Sequence, residues 1–317
     1  MLQIGREQQS SADVLGPRPR QDGAAPRGAI LRALIYADLF DFPLTGSEIQ
    51  RYLIGEATTA SLVDATLDRD ATLRQHVERT GEWYHLVGRS HLAEVRRQRA
   101  DASARLWPVA RHYAAGIAQL PFVRLVGVTG ALAMNNARPS DDVDLFILAQ
   151  PGRVWLCRLF VLVVVKLAAR RGQRLCPNFL LSTDHLRLSQ RTLFAAHEVA
   201  QMVPLEPGGW YGAFIHANGW VRDFLPNALP GPAPADPGSP RGSWPARLAG
   251  TVLSTPLLGP VEQWEMRRKI RRLTDRLERE GGSVAFSADE CRGHFAAHDT
   301  RVLAAYRARL AQYAEIL

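Results

Sequence analysis

The sequence predicts an α/β (α+β) fold: a mixed sheet with flanking helices, a helix-and-hairpin module in front of it and a helical part behind. Three observations predict it. The runs FVRLVGV (122–128), VDLFIL (143–148) and NFLLS (178–182) are apolar or β-branched and alternate with helical stretches at 153–171 and 188–203, the order of an α/β core. Residues 28–90 carry short amphipathic patterns and then two alternating runs about a Thr80-Gly81 turn. Residues 261–279 and 300–316 repeat apolar groups at helical spacing.

Composition sets the frame. The chain has 317 residues, 46% hydrophobic and 22% charged, ordinary globular values for two or three domains. A core of that size needs neither disulfides nor a structural metal, and three scattered cysteines form no even framework, so a reducing compartment, the cytosol by default, is expected. The first residues hold no apolar stretch of signal-peptide length, so no secretion is expected. The most apolar segment, 154–169, is broken by Arg158 and Lys166 and falls short of the roughly 20 residues that span a bilayer. A net charge of +8, nearly all arginine, hints at phosphate-bearing partners.

Taken in order, residues 1–27 are polar and Pro/Gly-rich and read as a disordered tail. In the module spanning 28–90, AILRALIYADLF is helical, Thr45-Gly-Ser-Glu48 is a capping box opening a second helix, and a third begins at Thr58 or Thr59. Three helices and a hairpin make a winged-helix outline. The third helix offers Asp64, Asp68 and Asp70 against Arg69, so DNA binding is possible but packing or protein contact is favoured. Residues 91–119 form a connecting helix kinked at Pro108, residues 120–224 the α/β core, 225–247 a proline-rich linker, and 248–317 a helical C-terminal region. The basic helix of 266–279 reads as an apolar face packed on the body, with an RNA, DNA or anionic-lipid surface as the sharper alternative.

The chemistry concentrates in residues 126–148, VGVTGALAMNNARPSDDVDLFIL. A strand ends at Thr129-Gly130, a short helix follows, and Asp142 and Asp144 flank Val143 as a new strand begins. Alternation turns Asp142 and Asp144 to one face, about 6.5 Å apart at Cα, a spacing suited to sharing a hard cation such as Mg²⁺. Magnesium keeps open positions for phosphate oxygens, and a glycine lets backbone amides approach those oxygens, so a triphosphate is the expected third party.

On Gly130, Asp142 and Asp144, with Ala137-Arg138-Pro139 in the gap, the sequence resembles the nucleotidyltransferase superfamily with the polymerase-β-like minimal fold, over residues 120 to about 205. It departs from that pattern at Ala131, where a serine is usual, and at Met134-Asn135, where Arg-Gly often follows. The resemblance implies a Mg²⁺-dependent transfer of a nucleoside monophosphate from a triphosphate to an acceptor, with pyrophosphate leaving. Asp142 and Asp144 would hold metal, Thr129, Gly130 and Ala131 would cradle phosphates, and a third carboxylate on a later strand falls nearest Asp184, with Glu198 as the weaker alternative. Arg153, Arg170, Arg171 and Arg174 are candidates to balance triphosphate charge. The acceptor, whether small molecule, protein or nucleic acid, is not legible. A non-catalytic regulator, sensing a nucleotide or binding DNA through the front module, is the competing expectation.

Other patterns carry less. Cys291, His294 and His298 have a tempting zinc spacing but only three ligands. His197-Glu198 lacks the second histidine of H-E-x-x-H, and neither G-x-S-x-G nor a Gly-Lys-Ser/Thr run occurs.

Overall fold

The computed structural model describes residues 26–205, 209–229, 258–280, 282–295 and 298–317, without the side chains of 273–280, 282–285 and 293–295. Nearly all of the expected tail and most of the proline-rich linker lie outside the described residues. The front of the chain forms α1 (Arg27–Asp38), α2 (Gly46–Arg51), α3 (Ala60–Arg69) and the antiparallel hairpin β1 (Val77–Thr80) and β2 (Trp83–Leu86). Local chemistry explains the starts. Thr45 and Glu48 complete a reciprocal capping box at α2, and Thr59 caps α3 through the Leu62 amide.

The helix α4 (Leu92–Ala118) runs continuously through Pro108 into β3 (Val123–Val128), the one-turn helix α5 (Gly130–Ala133) and β4 (Val143–Ala149). Helix α6 (Val154–Arg170) then crosses to β5 (Leu175–Ser182), followed by α7 (Leu193–Gln201), β6 (Val203–Pro204) and α8 (Gly209–Ala217). The C-terminal part comprises α9 (Gly259–Glu280), β7 (Gly282–Phe286), β8 (Glu290–Phe295) and α10 (His298–Ala311). The sheet is mixed, in the order β6-β3-β4-β5-β8-β7; β4 and β5 are parallel, joined over the crossover helix, and the other pairs are antiparallel.

One expectation fails here. The C-terminal region is not purely helical, because β7 and β8 form a hairpin that extends the sheet beside β5. The local reason is written in the sequence of 282–286, a glycine ahead of the alternating Ser-Val-Ala-Phe run.

Three layers result. Val126, Leu145, Ile147 and Leu180 face a core shared with α4, α6 and α9. From the opposite face Leu125, Phe146, Leu148 and Leu181 enter a second core together with α1, α2, α7, α8 and α10. Helix α1 is apolar all round and buried at ten of its twelve positions, so it runs through the interior rather than over a surface. Its two buried charges are answered: Arg32 donates to the Ile54 carbonyl, and Asp38 accepts from Arg89 (2.8 Å) and Arg309.

Candidate functional site

The site begins at the end of β3. Thr129 is extended and donates its amide to the Asp144 carbonyl (3.1 Å), which staples the turn to β4. Gly130 follows with φ +66°, a left-handed conformation that favours glycine, and a Cβ there would collide with the Asp144 carboxylate. Glycine is thus required twice over, by its backbone angle and by the acid pressed against it.

Ligand atoms of Asp142, Asp144 and Cys176 lie within 4.8 Å of one another. Asp144 stands on β4 opposite Cys176 on β5, while Asn178, after a bulge, donates its side-chain amide to Asp144. Burial, then the neighbouring Asp142 and Glu198, pushes the Asp144 carboxyl up to about 8. Burial and the same aspartates raise the Cys176 thiol to about 12, and its S–H donates to Asn178 Oδ1 (2.7 Å). A thiol is a soft ligand that suits zinc or copper better than a hard cation. For a hard cation the donors are the two carboxylates, oxygen ligands that match Mg²⁺ and leave its other positions to water or phosphate. Alternation along the strand does not reach Asp141 and Asp142, which precede the first residue of β4, and Asp141 also turns to the cavity described next.

Beside the acids lies a cavity of about 450 Å³ between the sheet and the front helices. Gly130, Ala131, Asp141, Asp144, Asn178 and Glu198 form one side, and Tyr36, Phe40, Phe42, Tyr52, Phe194 and His197 an aromatic wall. His197 stacks on Tyr36 with ring centres 3.8 Å apart and donates Nδ1–H to the Leu193 carbonyl (2.9 Å); burial lowers its pKa to about 4. The lip residue Asp41 has φ 51°, a strained angle held by Arg89 (2.8 Å) and Arg99 (3.3 Å), and Arg99 also binds the Phe40 carbonyl and Asn136.

Glu198 on α7 is the carboxylate that joins the pair. Burial raises it to about 7, and its charge contributes to the raised Asp144 pKa. Asp184 is not brought there. It lies past the far end of β5, whose last residue is about 20 Å along the strand from Cys176, and there it accepts from Ser182 and sits near His185 (3.2 Å). Parallel pairing of β4 with β5 puts the start of both strands at the site and the end of β5 away from it.

Thr129 lines a small adjoining cleft with Phe146 and Glu198, not the main cavity. Of the four candidate arginines only Arg174 comes near, donating to the Ser140 carbonyl (2.8 Å); Arg153, Arg170 and Arg171 sit at the ends of α6. Two arginines line the cavity that were not among the charge-balancing candidates: Arg99, paired at the lip, and Arg138, which the sequence offered only as part of the motif gap and which is exposed and without a side-chain hydrogen bond or ion pair among the described residues. Its position three residues before Asp141 was the available signal. Cys291 is buried on strand β8, not on a helix; the side chain of His294 lies outside the described ones. No family model matches the chain, and neither a curated protein nor a solved structure matches it.

Proposed function

We propose that this chain is a Mg²⁺-dependent nucleotidyltransferase that moves a nucleoside monophosphate from a triphosphate to an acceptor held in the aromatic cavity. The observation that carries the reading is the left-handed Gly130 turn pressed against Asp144, with Asp142 beside it and the cavity opening in front. Asp142 and Asp144 hold the cation, which when bound offsets the charge of the triphosphate. The Gly130–Ala131 backbone faces the phosphates; Ala131 has no hydroxyl to add, so the amides do that work alone. Arg138 supplies a free positive charge at the rim.

The acceptor hydroxyl attacks the α-phosphorus in line, its new O–P bond forming as the bond to the pyrophosphate oxygen breaks. Glu198 takes the hydroxyl proton: it lines the cavity, and a carboxyl raised to about 7 is poised for proton transfer near neutral pH. The aromatic wall orients the acceptor and excludes water. The front helices thus serve as a wall of the site. DNA reading by α3 is poorly supported, since Asp64 and Asp68 are exposed on it and Asp70 at its end is paired with Arg27 (2.7 Å).

The test is incubation with each labelled triphosphate, Mg²⁺ and cell extract, following pyrophosphate release and the labelled product. Asp142→Asn is expected to lower release by roughly 100-fold or more with melting temperature unchanged. Release unaffected by Asp142→Asn, or seen equally without divalent cation, overturns the proposal.

A further inference from the structure

The outward side of the α6–α9 layer has a composition that the buried chemistry does not explain. Six large apolar side chains are exposed among the described residues, and four of them are here: Val163 and Leu167 on α6, 52% and 48% exposed, and Val261 and Trp264 on α9, 42% and 61% exposed. Helix α6 buries Val154, Cys157, Val161 and Ala168 toward the sheet, so Val163 and Leu167 belong to its outer stripe, with Lys166 and Arg170 interleaved. On α9 the stripe runs Val261, Trp264, Arg267, Arg271 at the same helical spacing. The two helices pack side by side.

The two acids of α9 whose side chains are described, Glu262 and Glu265, are turned inward. Glu262 accepts from the amides of Trp155 (2.7 Å) and Leu156 (2.9 Å) at the start of α6, and Glu265, 1% exposed, is bonded to Arg268. Helix α6 has no acidic residue at all. The charged side chains described as exposed on this face are cationic, Lys166, Arg170, Arg171, Arg267, Arg271 and Arg272 standing around the apolar anchors.

We propose that this face docks on the surface of an anionic lipid bilayer. Tryptophan and aliphatic side chains enter the boundary between headgroups and acyl chains, while long basic side chains lie along it with their charges at the phosphates. A nucleic acid would use the same cations but gives no place to Val163, Leu167 and Val261. The aromatic cavity lies on the other side of the sheet, so docking leaves it uncovered by lipid.

The test is co-sedimentation of the full chain with vesicles of phosphatidylcholine alone and of phosphatidylcholine with phosphatidylglycerol. Binding is expected to the second and not the first, and to weaken as salt is added. The pairs Leu167→Ser with Trp264→Ser, and Arg267→Gln with Arg271→Gln, are each expected to weaken it roughly tenfold or more, with melting unchanged. If the serine pair fails to fold, the arginine pair decides. Absence of binding to the charged vesicles, or full binding by the variants, overturns the proposal. So does an outcome in which the arginine pair abolishes binding to RNA or duplex DNA while neither protein sediments with lipid.

Discussion

At Gly130 a single missing carbon decides the site. Gly130→Ala places a methyl group against the Asp144 carboxylate and forces an L-residue to φ +66°. The backbone alone costs roughly 1–2 kcal/mol, and the displaced carboxylate adds loss of function. Denaturant titration should show that destabilisation, and nucleotide transfer should fall further than stability does. Glu198→Gln keeps the shape but cannot accept a proton. We expect a loss of roughly 10² to 10⁴ in turnover with triphosphate affinity nearly unchanged, measured by kcat against KM. The turn and the acid pair were legible because they are close in sequence, although Asp142 precedes the strand and alternation does not set its direction. The choice between Asp184 and Glu198 was not, since it depends on whether β5 runs parallel or antiparallel to β4, a long-range fact that short-range periodicity does not contain.

Helices and strands were read with uneven success for a similar reason. Capping chemistry at Thr45 and Thr59 and the Thr80-Gly81 turn are local, and those elements stand where the sequence puts them. Thr45→Ala removes the side chain that accepts from the Glu48 amide; a loss of about 1 kcal/mol in thermal or urea unfolding is expected. The β7–β8 hairpin was missed because an amphipathic helix on each side dominates the pattern. Helix α7 carries a pH prediction. Burial holds folded His197 at about 4, while in the unfolded chain it titrates near its ordinary value of 6.5, so the unfolded state binds more protons in between. Its contribution to stability is therefore intact above pH 6.5 and is lost as pH falls toward 4, by up to about 1.4 kcal/mol per pH unit. Chemical denaturation across that range should show a shallower acid slope in His197→Phe than in the unmodified chain; equal slopes would refute the assignment.

Over the whole molecule, the first and last described helices meet in the interior. Tyr306 of α10 is buried against Tyr36 of α1 with ring centres 5.5 Å apart, and Asp38 collects Arg89 and Arg309 from segments far apart in sequence. Asp38→Ala leaves two guanidinium groups without their acid; we expect roughly 2–4 kcal/mol of destabilisation in equilibrium unfolding. The sequence showed α1 as a helix but gave no direct sign that its companions would be the sheet residues Leu125, Phe146, Leu148 and Leu181. That arrangement has an evolutionary corollary. Removing the first ninety residues would take α1 and α2 out of the core they share with α7, α8 and α10 and open one flank of the aromatic chamber, so the front third is no detachable accessory. Under the proposed function, a change of acceptor would mean reshaping those helices in place, one side chain at a time, rather than exchanging them for another module.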